Sequence, residues 1–132
     1  TPMNSSAASD VYKRQLIYSL IEGISFGLND NYLALSKTGI ELNNIYVIGG
    51  GSKNQYWIKL LASIMNKNLL ITEASDAMAA YGAARIAYLG FNNINHDNVL
   101  SPPKVKTVIE KDPKLSQILI DRFSKWKKFY VS

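Results

Sequence analysis

Residues 45–54 read Ile-Tyr-Val-Ile-Gly-Gly-Gly-Ser-Lys-Asn, a β-branched and aromatic run that breaks into three glycines and then into polar residues. Residues 45–48 are bracketed by Asn43-Asn44 and by Gly49, so length and borders predict a short buried strand. Trp57, Leu60, Leu61, Ile64 and Met65 follow at helical spacing and predict an amphipathic helix entered through the glycines. Glycine lets the backbone turn sharply and lets a ligand approach the main chain closely. The mouth of a helix presents amide groups without partners and a partial positive charge. Together these features make a phosphate site. Ser52 or Asn54 suits the helix cap, Asn54 also has reach toward a ribose or phosphate oxygen, and Lys53 adds positive charge. The competing reading is a tight strand-to-helix turn with no ligand. The run is not a Walker loop, because no Lys-Ser or Lys-Thr pair follows at the required distance. It is not the dinucleotide fingerprint either, because no third glycine opens the helix.

Upstream, Ile17, Leu20, Ile21, Ile24 and Leu28 share one helical face, widened by Leu16 and Phe26, and predict a helix over residues 14–37. Gly23 and Gly27 lie four apart in it and suggest close approach of another backbone, and Gly39 supplies a stop. Residues 1–13 lack apolar periodicity and read as a disordered leader. The run at 5–15 resembles leaders attached to assembled environmental sequences, so the native chain is expected to enter near Gln15.

Downstream, Asn66 and Asn68 suit the exit of the second helix, and residues 69–72, Leu-Leu-Ile-Thr, predict a second strand. Ser75 or Asp76 is a candidate N-cap for a small-sided third helix rich in alanine, ending near Leu89 with Gly90 as its stop. Residues 91–113 read as a polar connector. Leu115, Leu119, Arg122, Trp126 and Phe129 or Tyr130 predict a terminal helix. Strands alternating with helices argue an α/β fold with parallel neighbours. Two strands do not make a stable sheet core, so the chain reads as one part of a domain whose remaining strands lie upstream. The expected organisation is a leader (1–13), the main α/β part (14–90), and a connector with a closing helix (91–132).

The composition fits one modest globular domain: 132 residues, 47% apolar and 19% charged. There is no cysteine, which excludes disulfides, thiolate metal sites and a thiol nucleophile. No apolar run approaches the roughly 18 residues of a membrane span, and a cytoplasmic location is expected. The net charge of +5 resides in residues 101–132, where eight Lys or Arg face three Asp or Glu. Lysines on one outer helix face read as a solvated surface rather than a nucleic-acid tracker, since no RNA or DNA motif accompanies them.

Four segments in series carry a family resemblance. Residues 14–28, RQLIYSLIEGISFGL, resemble a helix of the FGGY carbohydrate kinases, with Ser19-Leu20 where Val-Leu is common there. Residues 45–65 resemble that family's strand, triple-glycine turn and Trp-bearing helix. Residues 79–87, AAYGAARIA, resemble its Gly-Ala-Ala helix. Residues 122–130 resemble the closing helix of its xylulokinase branch.

The resemblance implies the C-terminal part of an actin-like (ribonuclease H-like) ATPase domain in a two-domain kinase. It implies that ATP with Mg²⁺ lies in a cleft, with the nucleotide held by Gly49, Gly50, Gly51 and Asn54. It implies transfer of the γ-phosphate to a sugar hydroxyl, with D-xylulose favoured over the gluconate, ribulose and glycerol acceptors of sister kinases. It places the catalytic Asp and most sugar contacts in an N-terminal domain. No catalytic residue is therefore expected in this chain, and the chain alone is expected to be inactive. A homodimer is open for the full-length protein; no metal-ligand set, nucleic-acid partner or membrane partner is implied. The alternatives are another actin-like ATPase, which residues 53–55 do not fit, and a non-enzymatic interaction module built on the basic terminal helix.

Other residues carry plainer readings. Trp57 reads as core rather than an adenine stacker. Gly82 reads as a helix-packing contact, and Tyr81 as either core or the border of an adenine pocket. Glu22 reads as holding a local hydrogen bond. His96, alone in a polar stretch, is no metal ligand. Trp126 and Phe129 read as helix-docking residues.

Overall fold

A computed structural model describes residues 4–92 and 99–129. The elements run α1 (Asn4–Ser36), β1 (Tyr46–Val47), a 3₁₀ turn (Gly50–Lys53), α2 (Gln55–Met65), β2 (Leu69–Thr72), α3 (Met78–Asn92), β3 (Val105–Ile109) and α4 (Pro113–Lys128). The sheet order is β1-β2-β3. β1 pairs with β2 in parallel, Tyr46 opposite Leu70 and Val47 opposite Ile71. β3 pairs with β2 antiparallel, from Leu69 opposite Ile109 to Thr72 opposite Val105, with an irregularity at Ile71 and Thr72.

The all-parallel expectation therefore holds for β1 and β2 and fails at β3, which lies inside the stretch expected to be connector. β3 offers no alternation to read: four of its five residues are exposed. Residues 4–13, expected to lack structure, are the first turns of α1.

α2 sits in the middle of the fold. One side of it packs on the sheet through Ile58, Leu61 and Ala62 against Leu69 and Ile71. Its other side packs through Leu60 and Ile64 against Phe26 of α1 and Leu119 of α4. A helix buried on two sides needs a wide apolar arc, and α2 has one: Ile58, Leu60, Leu61, Ala62, Ser63 and Ile64 are all buried. Phe26, Phe123 and Trp126 close the second core, with ring centroids 5.5–5.9 Å apart. Trp126 thus docks α4 as its residue type implied, whereas Phe129 is 86% exposed and docks nothing. Tyr130 lies outside the described residues, as does His96.

α1 packs differently from its apolar pattern. Ile17, Leu20, Ile24 and Leu28 are exposed, and the buried face carries Glu22, Ser25, Phe26 and Asn29. Beyond the local Tyr18 hydroxyl, Glu22 also reaches a distant partner. Its carboxylate accepts from Arg122 Nη1 of α4, at 3.1 Å to Oε2 and 3.3 Å to Oε1. This contact holds the Arg122 guanidinium more firmly protonated than usual, through the hydrogen bond first and the charge second. Burial, and then the Glu22 charge, push the Tyr18 phenol above its ordinary value of 10.0. A second bridge, Lys127 to Asp30 at 2.8 Å, pairs one of the terminal lysines.

Helix ends follow their chemistry. Asn66, in the left-handed region at φ 53°, ends α2. Asp112 caps α4 by accepting from the amides of Lys114 and Leu115, with Pro113 in its first turn. α3 begins at Met78, so Ser75 and Asp76 lie in the turn before it rather than at its cap, and α3 continues past Gly90 to Asn92. No atom within 4 Å would meet a Cβ at Gly23, Gly27 or Gly82. The close approaches expected at those glycines are absent among the described residues. Tyr81 is half-exposed and stacks on the Arg85 guanidinium, 5.3 Å from its ring centroid.

Candidate functional site: the glycine bend

β1 delivers the chain to Gly49, whose φ of 87° and ψ of 179° are open to glycine and to few other residues. The Gly49 amide donates to the Ser75 carbonyl at 2.7 Å. The 3₁₀ turn then carries the chain to Asn54, which caps α2: its side-chain oxygen accepts from the Trp57 amide at 3.1 Å. In such a turn the leading amides, those of Gly50 and Gly51, have no acceptor within the turn itself.

The three glycines have three different reasons. Gly49 needs its positive φ. Gly51 needs its missing side chain: a Cβ there would meet Trp57 Cζ3 at 2.7 Å. Gly50 has no internal reason, since a Cβ there would meet nothing within 4 Å and the residue is exposed. Trp57 is a packing residue, as expected. It lies against Gly51, and its indole N–H donates to the buried Ser25 hydroxyl at 2.9 Å.

The bend is open on both sides. A cleft of about 370 Å³ is lined by Ser52, Lys53, Thr72, Ser75, Asp76 and Lys106 among others. A broader, more apolar one of about 620 Å³ is lined by Arg14, Gln15, Tyr18, Asn54 and Tyr56 among others. Lys53 Nζ meets Asp76 Oδ2 at 2.7 Å, and this contact holds the Asp76 carboxyl below the usual carboxylate range. Along the ridge at the mouth of α2, Gly50 and Asn54 are exposed and Gly49 is half-buried, while the α-carbon of Gly51 faces Trp57.

Sequence reasoning missed the partnership between this ridge and the loop after β2. The signal present was Ser75, read only as a helix cap. A third cleft of about 400 Å³ lies between α3 and residues 101–104, beside Tyr81 and Arg85. Arg85 donates to the carbonyls of Val99 and Ser101 across it. Among the described residues no group of three His, Asp or Glu is placed to hold a metal ion, and no helix is long and apolar enough to cross a membrane.

A parallel strand opens through glycines into a buried helix, closed by a terminal helix, and comparison with known proteins fixes the class of this arrangement. Residues 2–91 match the model of the FGGY family of carbohydrate kinases, C-terminal domain. The chain belongs to that family. Its curated relatives include xylulose kinases of Staphylococcus xylosus, 38% identical over 80 residues (58% of this chain and 16% of that protein), and of Escherichia coli K12, 30% identical over 100 residues (70% and 21%). Among solved structures, the crystal structure of a "xyloylose kinase" from Brucella ovis superposes with a TM-score of 0.76 at 30% identity, over 87% of this chain and 24% of that one. A xylulose kinase from Rhodospirillum rubrum shares the fold, with a TM-score of 0.65 at 19% identity over 84% of this chain and 22% of that one. The chain spans about a fifth of the length of such relatives.

Proposed function

We propose that this chain is the nucleotide-binding part of an ATP-dependent sugar kinase whose acceptor is D-xylulose and whose product is xylulose 5-phosphate. The observation that carries the nucleotide reading is Gly50: exposed, and glycine for no reason internal to the fold, in a bend whose following residues Ser52, Lys53 and Asn54 line two clefts. The amides of the bend would take phosphate oxygens at the positive end of α2. Asn54 would contribute a donor beside them, and Gly51 would support the bend from beneath by accommodating Trp57. ATP would supply the γ-phosphoryl group, with Mg²⁺ bridging its phosphates. The acceptor assignment is supported by the relatives named above, xylulose kinases at 30–38% identity.

Two carboxylates near the bend are engaged in ion pairs. Asp76 is paired with Lys53, and Glu22 is locked to Arg122. The base and most sugar contacts are assigned to the part of the relatives' length that this chain does not span. The proposal therefore has two halves. A thermal-shift titration of the chain with Mg-ATP should raise its melting temperature, and Gly50→Asp, which puts a like charge where phosphate would lie, should abolish the rise. The same preparation mixed with ATP and D-xylulose should show no turnover. A nucleotide shift that survives Gly50→Asp would move the site elsewhere.

A further inference from the structure

The loop after β2 does more than border the glycine bend; it grips Gly49 from two directions. The Ser75 carbonyl accepts the Gly49 amide at 2.7 Å. The Ser75 hydroxyl lies 2.6 Å from the Ser52 hydroxyl, and Ser52 Oγ in turn donates to the Gly49 carbonyl at 2.7 Å. A hydroxyl has a single proton. Ser52 has given its proton to Gly49, so Ser75 must be the donor to Ser52. The result is a directed chain from the Ser75 hydroxyl through the Ser52 hydroxyl to the Gly49 carbonyl, in which each bond polarises the next. Ser52 is 3% exposed, so water does not compete for its end of the chain.

Fixing that carbonyl has a consequence one bond away. The peptide joining Gly49 to Gly50 is planar and trans, so its C=O and its N–H point in opposite directions. With the carbonyl pinned toward Ser52, the Gly50 N–H is aimed away from the turn, at a residue beside which a Cβ would meet nothing. The loop supplying Ser75 is itself held in an unusual shape. Ala74 takes a φ of 50°, in the left-handed region that alanine avoids. Strain of this kind persists where surrounding contacts over-determine it, and here the Glu73 amide donates to the Lys104 carbonyl at 3.1 Å and the Ala77 amide to the Ala74 carbonyl at 2.9 Å.

We propose that Ser75 is a positioning residue: acting through Ser52, it aims the Gly50 amide at the phosphate of the bound nucleotide. This rests on the nucleotide reading above. The test uses the whole 132-residue chain, labelled with ¹⁵N and titrated with Mg-ADP, as wild type, Ser75→Ala and Ser75→Thr. Ser75→Ala should keep its circular dichroism spectrum, move the Gly50 amide resonance before any ligand is added, and weaken Mg-ADP about tenfold, as one misdirected hydrogen bond would. Ser75→Thr retains the hydroxyl and should restore both readouts. If Ser75→Ala leaves the Gly50 resonance and the affinity at wild-type values, the inference is overturned while the nucleotide reading stands. If wild type itself shows no movement at residues 49–54 on titration, the nucleotide reading fails; the ligand-free Gly50 shift, present in Ser75→Ala and absent in Ser75→Thr, still decides whether Ser75 orients the amide. Should Ser75→Ala lose its fold, Ser52→Ala cuts the same chain one link nearer Gly49 and is read in the same way.

Discussion

The indole of Trp57 lies against the α-carbon of Gly51 so closely that a methyl group there would sit 2.7 Å from Cζ3. The ring has little freedom to retreat, because its N–H is tied to Ser25 Oγ, which itself donates to the Ile21 carbonyl. The third glycine of the bend is thus a packing joint between the bend and α1, whatever its amide binds.

Gly51→Ala should therefore destabilise the chain by about 1–3 kcal/mol, the usual cost of overpacking. Gly50→Ala should change stability by less than about 0.5 kcal/mol, as at an unencumbered surface position. Urea unfolding followed by tryptophan fluorescence would separate the two. Equal effects at both positions would contradict the packing account.

The Ser25 hydroxyl is fully buried and is the acceptor for the indole. Ser25→Ala leaves that N–H unpaired, and a loss of about 1–3 kcal/mol is expected. A blue-shifted Trp57 emission should accompany it, measured in a Trp126→Phe background so that a single indole reports.

Breaking the bridge between α1 and α4 should be costly on one side and repairable on both. Arg122→Leu leaves Glu22 buried without its partner and should cost about 2–3 kcal/mol, less than a fully buried pair because Arg122 is half-exposed. Adding Glu22→Leu should recover most of that loss, since a well-packed apolar pair often matches a buried ionic one. Tyr18 provides an independent readout. Its phenol is raised by burial and by Glu22 and is lowered by Arg122. Ultraviolet titration should show its pKa fall in Glu22→Leu and rise in Arg122→Leu.

The Lys53 to Asp76 pair sets a pH dependence with a definite sign. The folded state holds the Asp76 carboxyl below its ordinary 3.8, chiefly through the Lys53 hydrogen bond. Such a group contributes stability above its unfolded pKa and loses it as pH falls through the folded value. The Asp76 carboxyl ¹³C resonance should thus titrate at lower pH than that of an ordinary aspartate. In Lys53→Met that step should shift back toward 3.8. Asp76 is exposed, so the effect on overall stability is small.

The sequence made legible what periodicity and punctuation encode. The cap at Asn54, the exit at Asn66, and the existence of α2, α3 and α4 rest on local rules, and the structure keeps them; the buried strand expected at 45–48 shrinks to the half-buried pair Tyr46–Val47, and Ile48 is exposed. β3 was hidden because both its faces are largely exposed and Lys106 interrupts it, leaving its β-branched residues as the one signal. The first ten residues of α1 were hidden because they carry no apolar stripe. The packing side of α1 was legible in Ile21 and Phe26 and misread in the rest of the stripe, because the exposed residues there are more apolar than the Glu22, Ser25 and Asn29 that are buried. At the site, the glycines announced a bend. Which glycine served packing and which stood open depended on where one indole ring fell, and that is a tertiary fact.

Asn54 bears on what the ridge will admit. Its side-chain oxygen is already committed to holding the first turn of α2. An amide oxygen carries a second lone pair, so this duty leaves Asn54 one acceptor and both protons of its nitrogen at an exposed position. The residue that fastens the helix start keeps both kinds of polar group to spare, and exchange for Asp would keep the fastening while removing the protons.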